Sequence, residues 1–228
     1  MTLESLKQLV MQQAEEKGFG TRPDQIIVSE KLILICDEAL EAEEAIAKAI
    51  AISEKKSELY LSMRQGPGVD PDKVRKHTPE QMLLRYTSNH ASDLMESYFH
   101  NWGDALQRIL HLGGAFNVTF HEPVSRPVGK HDNPFPGYSM TCESSQKYSL
   151  QTKGLIDICI LAYRDYHNMK KVPERETRFK EGLIAAAHYC LNISDIEGFD
   201  IEAAVLEKIQ TNKSREWRPS DYNEKLGA

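Results

Sequence analysis

The chain has no basic tract. Its 28 lysines and arginines are outnumbered by 34 aspartates and glutamates, giving a formal net charge of −6 at pH 7. Duplex nucleic acid is held mainly through its phosphates and calls for a basic patch, so no duplex partner is expected. No apolar run approaches the roughly 20 residues that a membrane helix needs, so no membrane partner is expected either. The start, Met1 to Lys7, reads as an amphipathic helix and not as a signal peptide. Cysteine is scarce: Cys36, Cys142, Cys159 and Cys190 are scattered, with no CxxC pair. That spacing supports neither a zinc ribbon nor a disulfide framework. Three of the four lie in apolar helical runs and read as buried thiols, which predicts a reducing, cytoplasmic setting. GxxxxGK[ST], GxSxG and GxGxxG are all missing, so P-loop, nucleophile-elbow and Rossmann chemistry have no support. Strand signals are few.

What the chain does have is helical periodicity. At 228 residues, 40% hydrophobic and 27% charged, it suits one globular domain, or two small ones, with a real core. Leu3, Leu6, Leu9 and Val10 predict a helix over 2–17, stopped by Gly18 and Gly20. Pro23 opens a long helical segment to about residue 62. Its first half, including Ile26–Val28 and Leu32–Cys36, is apolar on more than one face and predicts cover from several sides, by its own bundle or by a second chain. Gly66-Pro67-Gly68 and Pro71 mark a loop. Thr78-Pro79-Glu80-Gln81 is a start signal for a helix to Leu112, ended by Gly113-Gly114. Residues 115–143 read as a long proline-rich loop, with a short strand at Phe116–Phe120. Helices follow at about 145–169, from Pro173 to Asn192, and after an Asp200 cap. The fold class is all-α, a helical bundle with one long crossover.

The sharpest motif is Asp37-Glu38-Ala39-Leu40-Glu41, placed where a helix leaves an apolar run. Glu38 and Glu41 share a helix face, and Asp37 lies one turn from Glu41. Carboxylates grouped in this way suit a hard divalent cation such as Mg²⁺, which takes oxygen ligands and substrate phosphates. The plain alternative is a solvated acidic face. Lys208, Asn212 and Arg215, at i, i+4 and i+7, also share one face. That face can grip phosphates by charge-assisted hydrogen bonds, or simply decorate the C-terminal end of a helix. His100, Asp104 and His111 have helical spacing that a zinc site would use, but surface or core histidines are the commoner outcome. His121 and His131 fall in the proline-rich segment, with nothing in their spacing to assign them. Tyr98 and Trp102 read as core.

Three segments in order resemble the all-α nucleoside triphosphate pyrophosphohydrolase superfamily, the MazG-like and dimeric dUTPase group. They are Glu16-Lys17-Gly18-Phe19, the Asp37–Glu41 motif, and Gly198 to Val205 followed by Lys208, Asn212, Arg215 and Trp217. The Asp37–Glu41 motif is similar to that family's EExxE. The resemblance covers the first 60 residues, the last 45 and one helix between. The family's ExxD is altered: Asn101-Trp102-Gly103-Asp104 carries asparagine in place of the glutamate, and residues 50–90 stand as an insertion. Another candidate, Glu181 to Ala185, lacks the aspartate.

The resemblance implies an all-α pyrophosphohydrolase using Mg²⁺. Glu38, Glu41, Asp104 and Asn101 would be its metal ligands, and Asp37 a spare carboxylate for the attacking water. It implies Lys17, Lys208, Asn212 and Arg215 at the nucleoside triphosphate substrate, with Phe19 near the base. Attack at the α-phosphate would release pyrophosphate and a monophosphate. Family members assemble from paired four-helix units, which implies a homodimer or higher homo-oligomer. Alternatively, residues 145–215 are a degenerate copy of an active half within 1–115, since Lys153–Cys159 is faintly like Lys31–Asp37. The altered ExxD leaves a rival reading open: a non-catalytic, nucleotide-binding or scaffolding relative.

Overall fold

The structure is a computed structural model that describes residues 1–65, 79–121 and 144–214. Thr78, most of the proline-rich segment with Cys142 and His131, and Arg215 and Trp217 lie outside the described residues. Within them the chain forms six α-helices: α1 (Leu3–Glu16), α2 (Val28–Gln65), α3 (Pro79–Ala115), α4 (Ser144–Asn168), α5 (Glu174–Glu197) and α6 (Ile201–Ser214). A single 3₁₀ turn, Pro23–Gln25, precedes α2. No β-strand occurs among the described residues, and no described helix is long and apolar enough to cross a membrane.

Local chemistry sets the helix ends. Thr2 Oγ1 accepts from the Ser5 N–H at 3.1 Å and starts α1. At its other end Gly18 adopts φ +73°, so the Gly18 N–H reaches the Glu15 carbonyl and the Phe19 N–H reaches that of Ala14 at 2.8 Å. This left-handed closure turns the chain sharply and sets where Phe19 goes. The helix α3 runs past Gly113-Gly114 to Ala115, three residues beyond the expected end. The left-handed residue there is Asn117 (φ 55°), and Asn117 and Val118 donate back to Gly114 and Gly113. The expected strand at Phe116–Phe120 is a strand in side-chain pattern only: Phe116, Val118 and Phe120 are buried while Asn117 and Thr119 are exposed. Its backbone pairs with α1 side chains instead of a sheet. Lys7 Nζ donates to the Val118 carbonyl at 2.9 Å, and the Phe120 N–H donates to Glu4 Oε2 at 3.0 Å. Asp200 Oδ1 accepts from the Ala203 N–H at 3.0 Å and caps α6, as its sequence predicts.

The helices α2, α3, α5 and α4 contact one another in a ring, forming a four-helix bundle, and α1 and α6 pack on α3. Three cross-links give the α2/α4 register: the thiols of Cys36 and Cys159 meet, Thr152 Oγ1 donates to the Ala39 carbonyl, and Ser149 bonds Glu43. Numbers rise on α2 as they fall on α4, so the two run antiparallel. Leu32, Ile35, Ala39, Ala42 and Ile46 form the inner stripe of α2, facing Trp102, Leu106 and Ile109 of α3. Burying each large side chain contributes about 1.5–3 kcal/mol. Much of the apolar run that opens α2 is therefore absorbed by the chain itself: Ile26, Val28, Leu32 and Ile35 are buried. Ile27, Ile33 and Leu40 remain exposed. Tyr98 and Trp102 are core residues, as expected; Tyr98 donates to Gln151 Oε1 at 2.8 Å, whereas Trp102 Nε1 has no hydrogen-bond partner among the described residues.

Candidate active site

A cavity of about 280 Å³ opens where α1, α2, α3 and α6 converge beside the turn after α1. Each helix presents one face to it, as helical spacing requires. On α3 these residues are Asp104, Gln107, Arg108 and His111; on α2, Glu30, Lys31 and Leu34. Val10, Gln13 and Ala14 come from α1, Lys208 and Asn212 from α6, and Phe19 from the turn. Gln107 Nε2 donates to Gln13 Oε1 at 2.8 Å, and Gln13 Nε2 donates to the Ile209 carbonyl at 2.7 Å. That relay ties α3, α1 and α6 together beneath the cavity.

The charges pair across helices. Glu38 of α2 is buried and meets Arg108 of α3, with Nη2 2.6 Å from Oε1. Asp104 of α3 is buried and meets the ammonium of Lys208 of α6. Burial pushes the Glu38 carboxyl above its ordinary range; Arg108 opposes the shift, and the charges of Asp104 and Glu41 add to it. Two other carboxylates singled out by sequence, Asp104 and Glu41, therefore lie within electrostatic reach of Glu38. Lys31, also on α2, is held below the usual lysine range by burial, with Glu30 opposing and Arg108 reinforcing. His111 is likewise lowered, first by burial and then by the charge of Lys31, while a bond to the Gly20 carbonyl opposes and Arg108 adds. That bond is 2.8 Å long, so Nε2 is the donor.

The expected residues separate into groups. Asp104, Lys208, Asn212 and Phe19 line the cavity, and Glu38 touches it through Arg108. Glu41 and Asp37 are exposed on α2, and Asn101 is partly buried one turn before Asp104. Among the described residues no group of three or more His, Cys, Asp or Glu side chains stands together as a metal-holding set. The reason is visible: Glu38 is turned onto Arg108 and Asp104 onto Lys208. Lys17 does not line the cavity; its Nζ donates to the Lys213 carbonyl at 3.0 Å and holds the end of α6. Arg215 lies outside the described residues. His100 and His111 do not share a site, because His100 meets Glu207 at 3.1 Å while His111 faces Gly20.

Sequence reasoning left Lys31, Arg108 and His111 without a role in the cavity. A signal for two of them is present. Lys31 stands seven residues before Glu38 on the same stripe, and Arg108 stands four after Asp104. Neither spacing says that α2 and α3 lie with those stripes facing. Comparison of the chain with family models, with curated proteins and with solved structures finds no match.

Proposed function

We propose that the protein is a Mg²⁺-dependent nucleoside triphosphate pyrophosphohydrolase, acting on cytosolic nucleotides. The observation that carries this reading is the pair of buried carboxylates, Glu38 and Asp104, each held by a cation of the same cavity. Breaking one such pair alone leaves an uncompensated buried charge, which is costly. A metal–triphosphate brings both signs at once. It offers a cation to the acids and an anion to Arg108 and Lys208, so the internal pairs exchange for pairs with the ligand.

The oxygen donors are of the type that Mg²⁺ takes, once Glu38 and Asp104 turn from Arg108 and Lys208. These oxygens are hard, and Glu38 already feels the repulsion of Asp104 and Glu41, which a divalent cation relieves. Glu38, Glu41 and Asp104 would hold the ion, with the side-chain carbonyl of Asn101 as a neutral ligand. Bound there, Mg²⁺ supplies neutralisation of the polyphosphate charge. The chain's own residues do the rest. Lys208 and Asn212 grip the phosphates by charge-assisted and neutral hydrogen bonds, and Arg215 continues their face in sequence. Asp37, exposed beside Glu38, orients the attacking water and takes its proton. The water oxygen bonds to the α-phosphorus and the bond to the bridging oxygen breaks, as the family resemblance implies. Pyrophosphate leaves with Arg108 stabilising its charge. Phe19, Val10, Ala14 and Leu34 offer the nucleoside an apolar wall. The reading also takes the chain to self-associate, through Ile33 and Leu40 exposed on α2.

A rival reading has its own observation. Asn101 stands where the family has an acid, and no three acids are grouped among the described residues. This favours a helical protein that binds nucleotides without turning them over. Calorimetry with a non-hydrolysable triphosphate separates the two. The enzyme binds it far more tightly with Mg²⁺ than with a chelator present, whereas equal affinity in both supports the non-catalytic relative.

A further inference from the structure

Lys31 is the cavity cation whose place the two ion pairs leave unexplained. It lines the cavity from α2, yet its ammonium makes no ion pair or hydrogen bond with any described residue. Its surroundings are unfavourable for a lone ammonium. Burial disfavours the charge first; Glu30 attracts it and Arg108 repels it, while His111 is repelled by both Lys31 and Arg108. The charges facing this corner can be named from each element packed there. On α2, Glu30 is next in sequence to Lys31 and the one acid among the α2 residues lining the cavity. On α3, Arg108 is occupied by Glu38, and Asp104 is occupied by Lys208 of α6. The α1 residues Val10, Gln13 and Ala14 carry no charge. Three basic side chains thus meet at one wall of a cavity, with Glu38 on Arg108 and Glu30 beside Lys31.

We propose that Lys31, together with Arg108 and His111, forms an anion subsite that takes a phosphate group without help from a metal. It draws on residues other than Lys208 and Asn212, which reach the same cavity from α6. An oxyanion here accepts from the Lys31 ammonium and from the guanidinium, and it relieves the repulsion among the three bases. His111 has its Nε2–H committed to Gly20. Its Nδ1 is the remaining position, and it gains a proton and becomes a second donor when an anion arrives. The cavity of about 280 Å³ has room for a diphosphate at this wall. The subsite deepens the pyrophosphohydrolase reading by naming where the leaving pyrophosphate rests.

The test uses the full chain with inorganic pyrophosphate and a chelator, so that no divalent metal contributes. Calorimetry should detect binding, and Lys31→Met should weaken it at least tenfold, while Lys31→Arg keeps most of it. Nuclear magnetic resonance of the His111 ring supplies a second readout. Its pKa should rise when pyrophosphate is bound, and should rise without ligand in Lys31→Met, since a neighbouring positive charge has gone. Wild-type affinity in Lys31→Met, or a His111 ring indifferent to pyrophosphate, overturns the subsite. The two proposals fail separately. Metal-free binding that depends on Lys31, without any Mg²⁺-dependent turnover, leaves the subsite standing and removes the hydrolase. Turnover that Lys31→Met leaves unchanged, with pyrophosphate binding unchanged, does the reverse.

Discussion

Arg108 of α3 approaches Glu38 of α2 with two nitrogens on one oxygen: Nε lies 2.7 Å and Nη2 2.6 Å from Oε1. The guanidinium fork does not straddle the carboxylate, as the strongest arginine–carboxylate pairs do. Even so held, Glu38 has a pKa above its ordinary value, because burial outweighs the attraction of Arg108. Arg108 thus offsets only part of what burial costs the Glu38 charge.

Glu38→Gln should therefore stabilise the protein while abolishing Mg²⁺-dependent turnover. The sign follows from linkage. A carboxyl whose folded pKa is raised contributes its full stability below the unfolded value, near 4.5, and loses it as pH rises through the folded value. The glutamine has no such loss, so its advantage grows from about pH 4 toward neutrality. Arg108 is partly exposed and can turn to water. The expected gain at pH 7 is on the order of 1 kcal/mol, or about 2–4 °C in Tm. Melting curves at pH 4, 5.5 and 7 check it; a variant less stable at pH 7 than the wild type shows that the ion pair is a net structural asset.

Gly103 lets α3 and α6 approach closely. A Cβ there would meet Ala204 Cβ at 2.7 Å and the Ala204 carbonyl carbon at 3.2 Å. Gly103→Ala must push α6 outward, costing about 1–3 kcal/mol by overpacking. Lys208 moves with α6, so the KM for a triphosphate should rise more than kcat falls. Unchanged KM in a folded variant would detach Lys208 from substrate.

Asn101 offers a gain-of-function test. It stands one turn before Asp104 and is partly buried. If it faces the metal, Asn101→Glu adds a charged ligand, so half-maximal activity should need several-fold less Mg²⁺. A Mg²⁺ titration beside a melting curve separates this from simple damage, because a buried, unpaired glutamate lowers Tm and leaves metal demand alone.

Self-association should show in sedimentation as a dimer or larger species. Ile33, 60% exposed on α2, is the expected contact. Ile33→Glu should yield monomers, with the fold itself changed by no more than about 0.5 kcal/mol. A wild type that is monomeric at every concentration contradicts the proposed assembly.

Much of the scaffold was legible from local chemistry. The Asp200 cap and the Gly18 stop each act within a few residues, so the sequence alone carries them. The end of α3 was missed because Asn117, and not the glycine pair, takes the left-handed conformation. The candidate site was legible by halves. Helical spacing puts Glu38 with Glu41, and Lys208 with Asn212, but it cannot say what faces them. Arg108 and Lys31 acquire their places only when α2 and α3 lie side by side. Lys17 shows the converse: it lies off the cavity, with its ammonium donating to the carbonyl of Lys213.

The most direct measurement of the central claim is pyrophosphate release across a panel of nucleoside triphosphates, with Mg²⁺ and with a chelator. The account predicts Mg²⁺-dependent release from at least one nucleotide, with stoichiometric monophosphate. It predicts loss of that release in Glu38→Gln and in Glu41→Gln while both retain their helical spectrum. No pyrophosphate from any nucleotide, or full turnover in both variants, would contradict it.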